Sequence, residues 1–473
     1  MKTITMKFGG TSVGSVQAIN NVSQIAKSAV EGGDRVVVVV SAMSGITDSL
    51  LESIRLAIRG DKWGYLSLSG KMRDRHEEAV NDLLPPGTDR DATLASLNKL
   101  FDQHIEHCQA ISTLGEATSR IADAIVSFGE RASSKIVAAA LREAGINAKA
   151  VDAAQYLITD DTYQHAQPYW DVTQQRIEKG LLPALEAGVT PVITGFIGAT
   201  ADGAYTTLGR GGSDYSAAIF AAYCQSDEFI IWTDVDGVMT TDPRIDKRAR
   251  VLPYVSYQEV GELAFYGAKV LHPKTIQPII NRGIPVYVRN TFNPSHPGTL
   301  IGEENQPSST VVKAVTCIRS VSMLTISGRG MLGVPGVAGR AFLATSRAGG
   351  NILMISQSSS EQSICFTVMD DKAQAVKLAV EDEFSREITR SDISGVDVSG
   401  SIVIITVVGG GMRGTPGIAG RIFTVMGQAG INVLAIAQGS SECSISFVID
   451  EADMKRAVVV LHDLALEAVP DAG

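Results

Sequence analysis

The chain reads as an α/β protein: an open sheet covered by helices over its first two thirds, followed by two smaller βαββαβ modules. Two observations predict this. From residue 3 to about 292, short apolar, β-branched runs bounded by turns alternate with long helical patterns. From residue 328 onward the sequence is written twice. GRGMLGVPGVAGRAFLATSRAGGNILMISQSSSEQSICFTV (328–368) is followed, at a constant offset of 81, by GGGMRGTPGIAGRIFTVMGQAGINVLAIAQGSSECSISFVI (409–449). Met331 thus pairs with Met412, Asn351 with Asn432 and Gln357 with Gln438. A unit of that length is a small domain, too long for a solenoid repeat.

In chain order, the strand candidates of the first region are TMKFGG, RVVVVVSA, PVITGFIGA, EFIIWTDV and IPVYVRN. Ligands of open α/β sheets bind beyond the carboxyl ends of the strands, so the polar residues there are the candidates. Lys7-Phe8-Gly9-Gly10-Thr11-Ser12 ends the first strand, with a helix starting near Ser15. Bare glycine N–H groups beside a lysine suit phosphate, although a Gly-Gly exit is also a common tight turn. The lysine precedes the glycines, so this is not a Walker A loop. Ser41 to Thr47 follow the valine strand, where their hydroxyls either meet a substrate or cap the next helix. Glu130 opens a helix, where it can bind a ligand or complement the helix dipole. Leu208-Gly209-Arg210-Gly211-Gly212-Ser213-Asp214 is a glycine-rich loop whose arginine and aspartate have no packing reason to be there. WTDVDG with TDPR, and GAKVLHP with Lys269, complete the set.

Each repeat runs from a β-branched strand through a glycine-rich turn to a helix, two short strands joined by a serine-rich turn, and a second helix. One more strand would complete a ferredoxin-like layer. The first copy has its candidate in ISGVDVSG; the second has none after its helix. The run TVVKAVTCI (310–318) is therefore expected to cross over and complete the second copy. Both glycine turns, with Gly328, Gly330 and Gly333 in the first and Gly409, Gly411 and Gly414 in the second, match a dinucleotide fingerprint. Each unit is too short for that fold and lacks its acidic residue, so the better reading is close approach of a small ligand to a helix start.

Composition narrows the function classes. A net charge of −10 argues against nucleic acid or anionic lipid as the main partner. The longest apolar run, VVVVV before Ser41, is far short of a membrane span, and MKTITMKFGG lacks a signal-peptide hydrophobic region. Five scattered cysteines without a C-x-x-C suggest idle thiols in a reducing cytoplasm. His104, His107 and Cys108 share one helix region and are expected to form a solvated face, with no metal site.

Taken together, KFGGTS, SFGER, GRGGSD, WTDVDGV with TDPR, and GAKVLHP resemble, in order and context, the motifs of the aspartokinases within the amino-acid-kinase family. The doubled module resembles their paired ACT domains. The resemblance covers essentially the whole chain and implies an amino-acid-kinase catalytic domain over 1–305, a first ACT domain over 321–400 and a second over 401–473, completed by strand 310–318. It implies transfer of the γ-phosphoryl group of ATP to the β-carboxylate of L-aspartate, the first step toward lysine, threonine and methionine. Mg²⁺ is expected to arrive with ATP.

By the same resemblance, Lys7 stabilises the transferring phosphoryl group and Asp214 orients it. Arg210 holds the α-carboxylate, Glu130 the ammonium, and Ser41 and Thr47 the substrate carboxylates. Phe8, Gly9, Gly10, Thr233, Asp234, Arg244 and Lys269 are expected around the nucleotide. Where many relatives have tyrosine in the TDVDG segment, this chain has Met239, which puts purine selectivity in question. Many aspartokinases are fused to a homoserine dehydrogenase; no room for one is expected after the second repeat. Expected effector residues are Met331, Gly336, Asn351 and Gln357, with Met412, Gly417, Asn432 and Gln438 in the second copy. Amides and backbone N–H groups offer no dedicated anion for a lysine side chain, so threonine is favoured over lysine. A homodimer or homotetramer paired through these modules is expected. The alternatives are another carboxylate kinase of the family or a non-catalytic amino-acid sensor.

Overall fold

The computed structural model describes residues 1–267, 271, 273–303, 311–331, 334–357, 362–439 and 441–467. Lys269, Gly333, Glu361 and residue 310 lie outside the described residues. The chain divides into two compact units, Met1–Val238 with Pro253–Val255 and Leu271–Gly302, and Met239–Leu252 with Ser256–Val270 and Glu303–Gly473.

In the first unit the strands are β1 (Thr3–Phe8), β2 (Arg35–Val40), β3 (Ala148–Val151), β4 (Thr190–Thr194), β5 (Ile197–Ala199), β6 (Tyr205–Thr207), β7 (Glu228–Thr233), β8 (Tyr254–Ser256), β9 (Val286–Asn290) and β10 (Thr299–Gly302). Eight of them form one sheet in the order β3-β4-β2-β1-β7-β9-β10-β8, and β5 and β6 form a separate antiparallel pair. The pairings from β3 through β9 are parallel. Every residue of β1 and β4, and all but Arg35 of β2, is buried. Burial on both alternating faces means that helices cover both sides, which is why these strands read as continuous apolar runs. The chain leaves β1 toward β2 on one side and returns to β7 on the other, so β1 marks the reversal where such sheets bind ligands.

Two elements differ from the sequence expectation. PVITGFIGA is not one strand: it breaks between β4 and β5 at Phe196, whose φ of 69° no strand can hold. The helix Thr88–Leu114 does not present His104 and Cys108 to solvent. Both are fully buried, and His104 is held by Ser53 (2.9 Å) and Ser69 (3.0 Å). Burial pushes its imidazole down to about 4, so it is a neutral core histidine.

The second unit carries one antiparallel sheet, in the order β12-β13-β11-β14-β16-β15. Its strands are β11 (Ala314–Ser327), β12 (Met354–Gln357), β13 (Ser363–Met369), β14 (Gly395–Val408), β15 (Ala435–Gln438) and β16 (Ser444–Asp450). Strands β11 and β14 run along both repeats. Ala314–Ile318 pairs with Val408–Ile404, and Val321–Ser327 pairs with Ile402–Gly395 and also with β13. A register shift near Ser320 and Ser401, both at positive φ, separates the two halves. Each repeat has its own apolar core, around Leu324, Phe366 and Val376 in the first and Val403, Ile422 and Phe447 in the second.

The segments 239–252 and 256–270 belong to this unit through buried polar contacts. Glu259, 1% exposed, pairs with Lys313 at 2.8 Å and accepts from the Gly410 amide. His462 bridges Thr240 (2.8 Å) and Asp246 (2.9 Å), and Asp246 receives the Arg248 fork. The glycines of the fingerprint-like turns have a packing reason. A Cβ at Gly328 or Gly330 would strike Asp392, and one at Gly409 would strike Val311.

Candidate functional site

A cavity of about 680 Å³ lies in the first unit, at the carboxyl ends of β1 and β2. It brings together Lys7, Gly10, Ser41, Thr47, Glu130, Arg210 and Asp214, contributed by four separate stretches of chain. Lys7 is the fifth residue of β1, a strand otherwise committed to the core. Its ammonium reaches Asp214 at 2.6 Å, and the two side chains are only 11% and 18% exposed. Asp214 sits in the first turn of helix Gly212–Tyr223. The preceding loop demands its glycines: Gly209 and Gly211 have φ of 76° and 74°, and a Cβ at Gly212 would meet Phe196 and Leu208. That geometry turns Arg210 into the cavity.

Glu130 lies in the first turn of helix Phe128–Glu143 and is 3% exposed. Its Oε2 has no hydrogen-bond partner. Burial pushes its carboxyl up to about 8, opposed by the Ala42 amide and by the charge of Lys7. An orphaned buried carboxylate oxygen is costly unless a ligand completes it.

The other expected residues are placed differently. Phe8 is fully buried, stacked on Trp232 at 6.0 Å, and its carbonyl accepts from the Ser41 amide at 3.1 Å, so it supports the loop and presents no side chain to a ligand. The Gly9 amide donates to the Trp232 carbonyl, and a Cβ on Gly9 would lie 3.6 Å from the Lys7 ammonium nitrogen. Thr233 and Asp234 end β7, the neighbour of β1, and are joined by a 3.2 Å hydrogen bond. Arg244 belongs to the second unit, exposed and forked onto Asp242.

Several residues that shape the cavity carry no motif. Asp123 is 2% exposed and accepts from the amides of Gln164 (2.9 Å) and Thr207 (2.8 Å) and from the Thr207 hydroxyl (3.0 Å). Burial raises its carboxyl above the usual range. Gln164 and Phe196, both on the cavity wall, hold positive φ without being glycine. Such strain persists where the surroundings enforce it, often beside a site. Arg75 ties the Ser44 and Gly14 carbonyls together (2.7 and 2.9 Å), fixing the two loops that close one side. The only available sequence signal was an aspartate inside the apolar run IADAIV.

A second, smaller cavity of about 280 Å³ lies in the first repeat of the second unit. Met331, Gly336 and Gln357 line it with Val334, Pro335 and Ile364, and among the described residues that line it no side chain is charged. Gly336 and its counterpart Gly417 occupy the left-handed region at helix starts (φ 90° and 85°). Asn351 is exposed and outside this lining. In the second copy Met412 is buried, Asn432 and Gln438 are exposed, and Glu442 accepts from the Gly414 amide at 3.0 Å.

An open α/β sheet with a lysine–aspartate pair and a glycine loop at its reversal point, in a chain that also carries a doubled βαββαβ module, defines an amino acid kinase scaffold. The amino acid kinase family matches residues 2–290, and the ACT domain matches 324–384 and 405–464. Bifunctional aspartokinase/homoserine dehydrogenase 1 of Arabidopsis thaliana, a chloroplastic protein, is 37% identical over 462 residues, 96% of this chain and 50% of its own. Aspartokinase 1 of the same plant, also chloroplastic, is 32% identical over 475 residues, 98% of this chain and 80% of its own. The chain spans about half the length of the bifunctional relatives it matches. E. coli aspartokinase III, solved with aspartate and ADP in its R-state, superposes with a TM-score of 0.81 at 27% identity. That match covers 98% of this chain and all of the other. The chain belongs to the amino acid kinase family, in its aspartokinase branch. Among the described residues, no helix is long and apolar enough to cross a membrane.

Proposed function

We propose that the protein transfers the γ-phosphoryl group of MgATP to the β-carboxylate of L-aspartate, giving 4-phospho-L-aspartate. The observation that carries this reading is the pairing of opposite demands in one cavity. The Oε2 of the buried Glu130 carboxyl lacks a partner, while Lys7 and Arg210 are cations on the same wall. A substrate that satisfies both has an ammonium and more than one carboxylate. The family's solved relatives with bound aspartate support the same choice.

The chemistry needs no general base. A β-carboxylate with an ordinary pKa of about 3.9 is ionised at pH 7. Its oxygen forms the new bond to γ-phosphorus as the bond to the β,γ-bridging oxygen breaks, and ADP leaves with that electron pair. The barrier is the approach of two anions, so positioning and charge carry catalysis. Lys7, held at 2.6 Å by Asp214, meets the phosphoryl oxygens, assisted by the Gly10 amide. Arg210 takes the α-carboxylate through its planar fork. Ser41 and Thr47 donate to substrate carboxylates, and Glu130 receives the ammonium. Thr233 and Asp234, at the end of β7 beside β1, serve the nucleotide. Among the described residues no cluster of three or more His, Cys, Asp or Glu could hold a metal. Mg²⁺ arrives with ATP, held chiefly by phosphate oxygens and water.

The described lining of the first-repeat cavity is uncharged, which favours a small polar amino acid as inhibitor, and we assign L-threonine. Lysine is the second reading, supported by E. coli aspartokinase III, solved with lysine and aspartate in its T-state. We place the sites where modules of two subunits pair, in a homodimer or homotetramer. Binding then shifts a quaternary equilibrium. Five free cysteines suit a reducing compartment, the cytoplasm.

The test is incubation with MgATP, L-aspartate and hydroxylamine, which traps an acyl phosphate as hydroxamate. The expected result is hydroxamate dependent on both substrates. Hydroxamate with glutamate alone points to another carboxylate kinase, and none with any amino acid points to a sensor.

A further inference from the structure

A third cavity of about 380 Å³ lies in the first unit, bounded by helices Thr88–Leu114 and Phe128–Glu143 and strand β3. It is unrelated to the aspartate cavity, although Arg131 on its wall directly follows Glu130. Lys99, Arg131 and Lys135 present three cations to it, and Asp152 is the sole carboxylate on its wall. That carboxylate is already engaged: it accepts from the Tyr205 hydroxyl at 2.7 Å and faces Arg131 at 3.6 Å. Arg131 is held in place by the rings of Phe128 (5.1 Å) and Tyr205 (4.6 Å). Neither Lys99 nor Lys135 makes a hydrogen bond or ion pair among the described residues. Lys99 is exposed and Lys135 is half-buried. The wall is thus short of negative charge by two, in a protein whose net charge is −10. Hydroxyls of Ser96 and Ser134 and the amide of Gln103 add neutral hydrogen-bonding groups.

We propose that this cavity binds a small dianion whose charge is carried on phosphate or carboxylate oxygens. Three converging cations, one rigidly stacked, with hydroxyl and amide donors, form the pattern that recognises such oxyanions. The half-buried ammonium of Lys135 supports the reading. Burial and the nearby Arg131 both disfavour its charge, which lowers its pKa from the ordinary lysine value. A bound dianion relieves both effects.

The test uses the intact protein and site-resolved acetylation by acetic anhydride, read by mass spectrometry. Lys135 is followed against Lys62, an exposed lysine remote in sequence from this wall. Inorganic phosphate and succinate are compared at matched ionic strength with chloride. The expected result is that one of them slows acetylation of Lys135 in a saturable way, about as 1 + [L]/Kd, while Lys62 is unaffected. Protection by phosphate alone identifies a phosphorylated ligand; protection by succinate alone identifies a dicarboxylate. The surface variant Lys99→Gln should fold normally, leave basal kinase activity unchanged and weaken protection severalfold. No saturable protection by either anion overturns the proposal. So does protection that Lys99→Gln leaves intact, or equal slowing at Lys62.

Discussion

Lys7 and Glu130 show how much one residue's surroundings decide. Lys7 is held at 2.6 Å by Asp214 with little solvent around either side chain. If its charge works on the transferring phosphoryl group, Lys7→Ala should lower turnover about 10²–10³-fold, roughly 3–4 kcal/mol, with a smaller change in the Michaelis constant for aspartate. Steady-state kinetics retaining more than half of wild-type turnover would make Lys7 structural. Glu130 gives a pH prediction. With its carboxyl pushed up to about 8 by burial, it is mostly protonated at pH 7 in the free site. A bound ammonium requires the ionised form. Aspartate binding should therefore release close to one proton at pH 7, and affinity should rise with pH until about 8. Calorimetry in buffers of different ionisation heat counts that proton, which Glu130→Gln should abolish. Lys7, Glu130, Arg210 and Asp214 were legible because each is a polar residue at the end of an apolar run or in a loop rich in glycine. Asp123 was not, because a single buried acid leaves no pattern. His104 was misjudged because polarity in sequence does not reveal that Ser53 and Ser69 wait to satisfy it.

Among elements, the long parallel strands were readable because burial on both faces makes them continuously apolar. β3, β6, β8 and β10 were not, since AKAV, YTT, YVS and TLIG are three or four residues long and fixed by their neighbours, and β5 was legible only as the end of PVITGFIGA. The repeat made its own strands readable by writing each twice. What the repeat could not reveal is that segments 239–252 and 256–270 pack with it. Those contacts rest on single polar residues, above all the Glu259–Lys313 pair. Removing one partner strands the other charge in a buried site. Lys313→Met should destabilise the second unit by about 3–5 kcal/mol. Urea unfolding followed by hydrogen exchange in β11 and β14 would register it; a loss below 1 kcal/mol would mean that water or another cation compensates.

At the scale of the whole molecule, the proposed substrate cavity lies in the first unit and the proposed effector cavity in the second. Gln357 is the polar side chain among the described residues of that second cavity. Gln357→Ala should weaken inhibition by threonine about tenfold, the cost of one hydrogen bond to a charged or polar ligand group, while uninhibited activity persists. Inhibition curves that respond to lysine and ignore threonine would reassign the effector. The most direct measurement concerns the product itself. With Arg210 on the α-carboxylate and Glu130 on the ammonium, only the β-carboxylate is left to face Lys7. Hydroxylamine trapping followed by mass spectrometry and comparison with authentic standards should therefore yield the β-hydroxamate of L-aspartate. The α-hydroxamate, or none in the presence of ATP and aspartate, would contradict the account.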